Sequence, residues 1–171
     1  MERLFHVSED PAISTFIPRP SPSFFAEIRG DVVFAITGQL LHNYLLPRHC
    51  PRVCYYAGED SEAEDIEVLI GSTEARYVMV MESKWRPIIE AATLYCYELP
   101  VDTFSLLDTC AGYYISYEGV TPITREPVSN LLEALAARKV DVRFIENLRP
   151  LAEKVRASTL QFSLIRMRNA Q

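Results

Sequence analysis

Glycine is scarce in this chain. Six glycines in 171 residues leave little material for a glycine-rich phosphate cradle, and neither a P-loop nor a G-x-G-x-x-G run occurs. Long apolar runs are missing as well: none approaches the ~20 residues that a helical membrane span needs. Basic charge is in deficit. With 17 Lys and Arg against 23 Asp and Glu the net charge is −6, which argues against non-specific nucleic-acid binding and against docking on anionic membranes. The chain opens Met1-Glu2-Arg3 and enters a strand-like run at once. No signal-peptide pattern is read there, and a cytoplasmic location is the expectation. Four cysteines, Cys50, Cys54, Cys96 and Cys110, suit reduced thiols in such a compartment. Cys50 and Cys54 are spaced C-x3-C with no second pair, which is not a paired-loop zinc pattern, so no metal is expected.

What is present is an ordinary globular composition, 49% apolar and 23% charged, at a length expected to form a single domain over residues 1–171. Runs of β-branched and aromatic residues between turn residues predict strands at Leu4–Ser8, Asp31–Ile36, Arg52–Ala57, Arg76–Glu82, Thr93–Leu99, Gly112–Tyr117, Val140–Ile145 and Thr159–Met167. Val53–Ala57 and Val78–Met81 are apolar throughout and read as strands buried on both faces. Helical periodicity and caps predict helices from Thr37 to Leu46, Ser61 to Ile70, Ser83 to Ala92, Pro127 to Arg138, and one capped by Asn147. The order is mixed rather than a regular βαβ alternation. The expected class is α+β, with mixed, mostly antiparallel sheets and peripheral helices.

Several residues invite a chemical reading. His6 and Ser8 share one face of the first strand. They run into Phe16-Ile17-Pro18-Arg19-Pro20-Ser21-Pro22-Ser23, where alternate prolines forbid ladder donors and predict an extended surface loop over 17–24. Arg19 between two prolines projects a planar cation suited to a phosphate or carboxylate, and Ser21 adds a hydroxyl donor. Arg48 and Arg52 bracket His49-Cys50-Pro51. Arg166 and Arg168 alternate with Met167 on the last predicted strand and so share a face; their partner is an internal carboxylate such as Asp108 or a bound anion. Tyr113 and Tyr114 point to opposite sheet faces. The acidic stretch 58–65, GEDSEAED, reads as a solvated turn.

Three of these motifs occur in a recognisable order. His6-Val7-Ser8 resembles the His-Gly-Ser that opens the catalytic fold of poly(ADP-ribose) polymerases and related ADP-ribosyltransferases. Phe34-Ala35 followed by Asn43-Tyr44 resembles their second motif at the same internal spacing, and Gly112–Tyr117 is similar to the strand of their third. The resemblance implies an ADP-ribosyltransferase-like fold and NAD as ligand. It implies that His6 and Ser8 contact the ribose and carboxamide and that Tyr44 stacks on the nicotinamide. Two positions depart from the pattern. Val33 stands where many members carry the first tyrosine of the sandwich, and Tyr113 stands where the ribose-binding glutamate belongs, with no acid on that strand before Glu118. The chain is also similar, over nearly its whole length, to a family of small bacterial proteins that form a domain of unknown function. They share HVSE, FxPRPSPS, NYLLPR, AGYY and a closing STLxFSxIRMRNA.

The resulting expectation is a cleft that takes NAD or a related nucleotide or phosphate-bearing small molecule. The candidates are His6 and Tyr113 for catalysis and His6, Ser8, Arg19, Ser21, Tyr44 and Arg166 for binding. The alternatives are a non-enzymatic interaction or scaffold protein on the same fold, and an enzyme of different chemistry with His6 as general base acting on a phosphate-bearing molecule. The sequence leaves open which of the three applies, and it does not fix an oligomeric state.

Overall fold

Runs such as Leu4-Phe5-His6-Val7-Ser8 and Tyr77-Val78-Met79-Val80-Met81 favour extended backbone because branched and aromatic side chains pack well on a pleated surface. The computed structural model describes residues 2–171. In chain order its elements are β1 (Leu4–Ser8), β2 (Val33–Thr37), β3 (Arg52–Tyr56), α1 (Ala63–Asp65), β4 (Tyr77–Glu82), α2 (Arg86–Ala91), β5 (Leu94–Leu99), β6 (Ser105–Asp108), β7 (Tyr113–Ser116), β8 (Thr124–Val128), α3 (Leu131–Ala137), β9 (Val140–Ile145), α4 (Arg149–Ala157) and β10 (Gln161–Ile165). The class is α+β with two mostly antiparallel sheets. Two compact units divide the chain: residues up to Leu41 with Leu94–Val128, and His42–Thr93 with Ser129–Gln171.

The first unit holds a six-stranded sheet in the order β6-β7-β2-β1-β5-β8, antiparallel at every pair. Register assigns its faces. Leu4 opposes Thr37, and Ala35 opposes Tyr114. Leu4, Val33, Ala35, Tyr97 and Leu99 therefore share one face, where Phe16 and Val120 close over them as a buried core. Phe16 and Val120 are themselves bridged by two backbone hydrogen bonds. Gly112 begins β7 with φ +68°, and a Cβ there would stand 2.7 Å from the Thr37 hydroxyl oxygen. Only glycine tolerates both the left-handed backbone and that approach.

The second unit holds a four-stranded sheet, β10-β3-β4-β9, in which only β4 and β9 run parallel. β4 is buried at every position and β3 at all but Tyr56, as expected for central strands covered on both faces. Val155 and Ala152 of α4 join Val53, Val78 and Val80 in one apolar cluster. The Asn147 side chain accepts the Arg149 N–H at 2.9 Å, which starts α4 as expected.

Four sequence expectations are corrected. The helix predicted from Thr37 to Leu46 is a single 3-10 turn, Leu41–Tyr44. Six of the residues in 40–46 are buried, so there is no solvent face for a longer amphipathic helix to present. The helix expected from Ser61 to Ile70 begins as α1 and continues as a π turn, Ile66–Ile70, ended by Gly71 at φ 74°. Pro127 does not open a helix. It lies on the edge strand β8, where a missing N–H is harmless, and α3 starts four residues later. The last strand stops at Ile165: Arg166 adopts φ 55°, ψ 29° and a 3-10 turn follows over Met167–Asn169. Arg166 and Arg168 therefore do not share a strand face. β6 and β8, both edge strands, were not anticipated.

Candidate functional site

In the first unit the chemistry concentrates where β1 leaves β2. The two strands pair only at Leu4↔Thr37 and Phe5↔Ile36, whereas β1 stays with β5 as far as Ser8↔Tyr95. Parting of the ladder would strand the Phe34 carbonyl, and His6 takes it: Nδ1 lies 2.8 Å from that oxygen. A carbonyl only accepts, so Nδ1 carries the proton and Nε2 is the basic nitrogen of the neutral ring. The imidazole also packs on Phe16 with ring centroids 4.7 Å apart. His6 is thus oriented by two contacts and half-buried beside the opened ladder.

The neighbouring candidates divide by role. The Ser8 hydroxyl accepts the Asp10 N–H at 3.1 Å and shapes the turn after β1. Arg19 is exposed, and its backbone makes a two-bond bridge to Val32 just before β2. Ser21 accepts the Ser23 N–H and donates to the Ser23 carbonyl, a local turn within the proline loop. Tyr113 opposes Ile36, so it leaves the sheet on the face opposite His6. There it meets Phe34 and Phe25 edge-on, with the three ring centroids 6.0–6.3 Å apart. Of the two adjacent tyrosines it is Tyr114 that lies on His6's face, in the row that runs through Ala35. Phe25 was missed by sequence reading; its signal was the Phe24-Phe25 pair that ends the proline loop.

The remaining candidates, Tyr44 and Arg166, lie in the second unit with Arg48, Arg52 and Arg168. Arg52 is 2% exposed. Its guanidinium donates to the carbonyls of Asn43, Pro47 and Cys50 at 2.8–3.2 Å and lies 5.6 Å from the Tyr44 ring centroid. Burial first, then the charges of Arg48, Arg168 and Arg52, lower the Arg166 pKa from its ordinary value. The internal carboxylate expected as partner is occupied elsewhere: Asp108, in the first unit, accepts the Ala111 N–H at 3.0 Å. Burial pushes the Cys50 and Cys54 thiols up to about 12, so both are inert at neutral pH. Among the described residues no group of three or more His, Cys, Asp or Glu is placed to hold a metal ion, and no helix is long and apolar enough to cross a membrane.

These features define an α+β protein whose first sheet opens beside an oriented histidine and whose second carries an arginine cluster. The chain belongs to a family of unknown function, DUF6886, whose profile matches residues 5–170. No curated protein and no solved structure matches it.

Proposed function

We propose that the protein binds NAD or a related phosphate-bearing nucleotide on an ADP-ribosyltransferase-like frame, and that it binds without transferring ADP-ribose. The observation that carries this reading is the order β7-β2-β1. The three strands that bear the family-like motifs are neighbours in one sheet, and the ladder between β1 and β2 opens at His6. A parted pair of strands leaves main-chain groups outside the ladder, and one of them, the Phe34 carbonyl, is bound by His6, which puts the imidazole at the parting.

Catalysis is disfavoured by the same residues. β7 reads Tyr-Tyr-Ile-Ser and carries no acid, and Tyr113 faces away from His6 inside an aromatic triad. A phenol donates a hydrogen bond but supplies no carboxylate to accept two ribose hydroxyls. Ser8 is engaged in a turn. A strand without an acid lacks the charge stabilisation that transfer needs, which supports binding over transfer.

Thermal unfolding with NAD, ADP-ribose and ATP tests this. A ligand at 100 times its Kd adds about 2.7 kcal/mol, which for a chain of this size raises Tm by ~5–10 °C. We expect such a rise with NAD or ADP-ribose and its loss in His6→Ala. No shift with any nucleotide at millimolar concentration overturns the proposal, and release of nicotinamide with labelled ADP-ribose on a protein acceptor overturns its non-catalytic half.

A further inference from the structure

The second unit carries a feature that neither the family nor the nucleotide reading accounts for. The feature needs nothing from the first unit. Four arginines gather in a chain whose net charge is −6, and among the described residues none of the four makes an ion pair with a carboxylate.

The gathering is built. Ile165 at the end of β10 opposes Arg52 on β3. Arg166 then turns left-handed, at φ 55°, a conformation uncommon for a side chain of its size. That reversal swings Met167–Asn169 towards the loop before β3, where the Asn169 side chain donates to the His49 carbonyl at 2.7 Å. Two further bonds fasten the end of the chain: Arg149 donates to the Ala170 carbonyl at 2.9 Å, and the Gln171 N–H to Glu82 at 2.8 Å. The terminal turn is therefore held against the Arg48–Arg52 loop, and strained backbone persists only where its surroundings over-determine it.

The charges are not balanced by protein. The side chains of Arg48, Arg166 and Arg168 have no hydrogen bond or ion pair among the described residues. Arg52 has three carbonyls but no carboxylate within ion-pair distance. The fully buried carboxylate on the adjoining strand, Glu82, is taken by Lys84 and by the N–H groups of Leu148 and Gln171. Water can solvate the exposed Arg48 and Arg168. It does not reach Arg52 and only half reaches Arg166. A buried cation without a counter-ion is costly, and like charges beside it add to the cost.

We infer that Arg48, Arg52, Arg166 and Arg168 form a binding site for a phosphate dianion, either free orthophosphate or the terminal group of a phosphomonoester. Four arginines brought together by the loop and the terminal turn offer more donors than the two oxygens of a carboxylate accept, and phosphate brings more oxygens with two charges. Arg52 acts mainly as fixed positive charge, since its Nε and Nη1 donors are engaged by carbonyls.

Titration calorimetry on the full chain at constant ionic strength decides the matter. The probes are orthophosphate, glycerol phosphate and acetate, injected into the native chain and into Arg166→Gly and Arg168→Gln. Arg166→Gly removes the fork and relieves the left-handed backbone, so it folds; Arg168 is exposed and its loss does not threaten the fold. We expect saturable binding of phosphate or its monoester, none of acetate, and at least a tenfold weaker Kd in each variant. Equal binding of both phosphate probes assigns the bare dianion, and binding of the ester alone assigns phosphomonoesters. Equal heats from acetate, unchanged binding in both variants, or no heat from either phosphate probe overturns the site. His6→Ala should leave phosphate binding unchanged, which separates failure here from failure of the nucleotide reading.

Discussion

The two units handle polar groups in opposite ways. In the first, charge stays at the surface: Arg3 pairs with Glu98, and a half-buried histidine closes a gap in the ladder. In the second, charge goes inside. Arg52 is 2% exposed and Glu82 is fully buried, each held by backbone groups rather than by the other. A sheet that packs one face needs only apolar residues to be stable. A sheet whose central strands are covered on both faces has no reason to enclose an arginine unless its surroundings repay the desolvation. That contrast is why the phosphate proposal is made for the second unit and not for the first.

The sharpest way to break the comparison is to remove the buried charge. Arg52→Leu should cost about 3–5 kcal/mol in urea unfolding, because the carbonyls of Asn43, Pro47 and Cys50 lose their donor inside the protein. Arg3→Ala, at the surface of the other unit, should leave the midpoint nearly unmoved. A loss as small for Arg52→Leu would mean that the pocket is wet.

His6→Ala is the corresponding test in the first unit. It orphans the Phe34 carbonyl and removes the packing on Phe16, at a cost of ~2–3 kcal/mol. His6→Phe keeps the ring and should recover about half of that. Full recovery would show that the hydrogen bond contributes nothing.

Acid should act on both units in the same direction. Hydrogen bonds from the Thr159 side chain and backbone lower the Asp65 pKa, and the Arg3 hydrogen bond lowers that of Glu98. A carboxylate whose folded pKa is depressed stabilises above its unfolded pKa. That stabilisation is lost as pH falls through the folded value. Stability should therefore decline below the ordinary carboxylate range. Asp65→Asn and Glu98→Gln should each flatten part of the decline, measured as Tm against pH.

A small change is also expected in Arg166→Gly without ligand. Relief of the left-handed backbone offsets the extra freedom of the unfolded glycine chain, leaving within about 1 kcal/mol of the native stability. A larger loss would indicate that the Arg166 side chain, rather than its backbone turn, holds the chain end in place.

Much of the frame was legible because local signals are strong where strands are central. Leu4–Ser8 and Val140–Ile145 were read to the residue, and the continuous burial of β3 and β4 followed from unbroken apolar runs. The edge strands β6 and β8 were not legible. Ser-Leu-Leu-Asp and Thr-Arg-Glu-Pro-Val become strands only by pairing with β7 and β5, and an exposed edge imposes no apolar alternation. Proline misled for the same reason: its missing N–H suits a helix start and a sheet edge equally.

The sequence by itself determined the α+β class, the apolar centre of each sheet, the capping of α4 and the short list of polar residues worth testing. It did so because period, β-branching and turn chemistry are local properties of the chain. Tertiary structure alone decided which of those polar residues meet. Tyr114 rather than Tyr113 shares a face with His6, because register, and not spacing, assigns faces. Arg48 and Arg166 stand together across more than 100 residues of chain because one left-handed residue and one asparagine bond turn the chain end back onto a loop, a contact that no local pattern encodes.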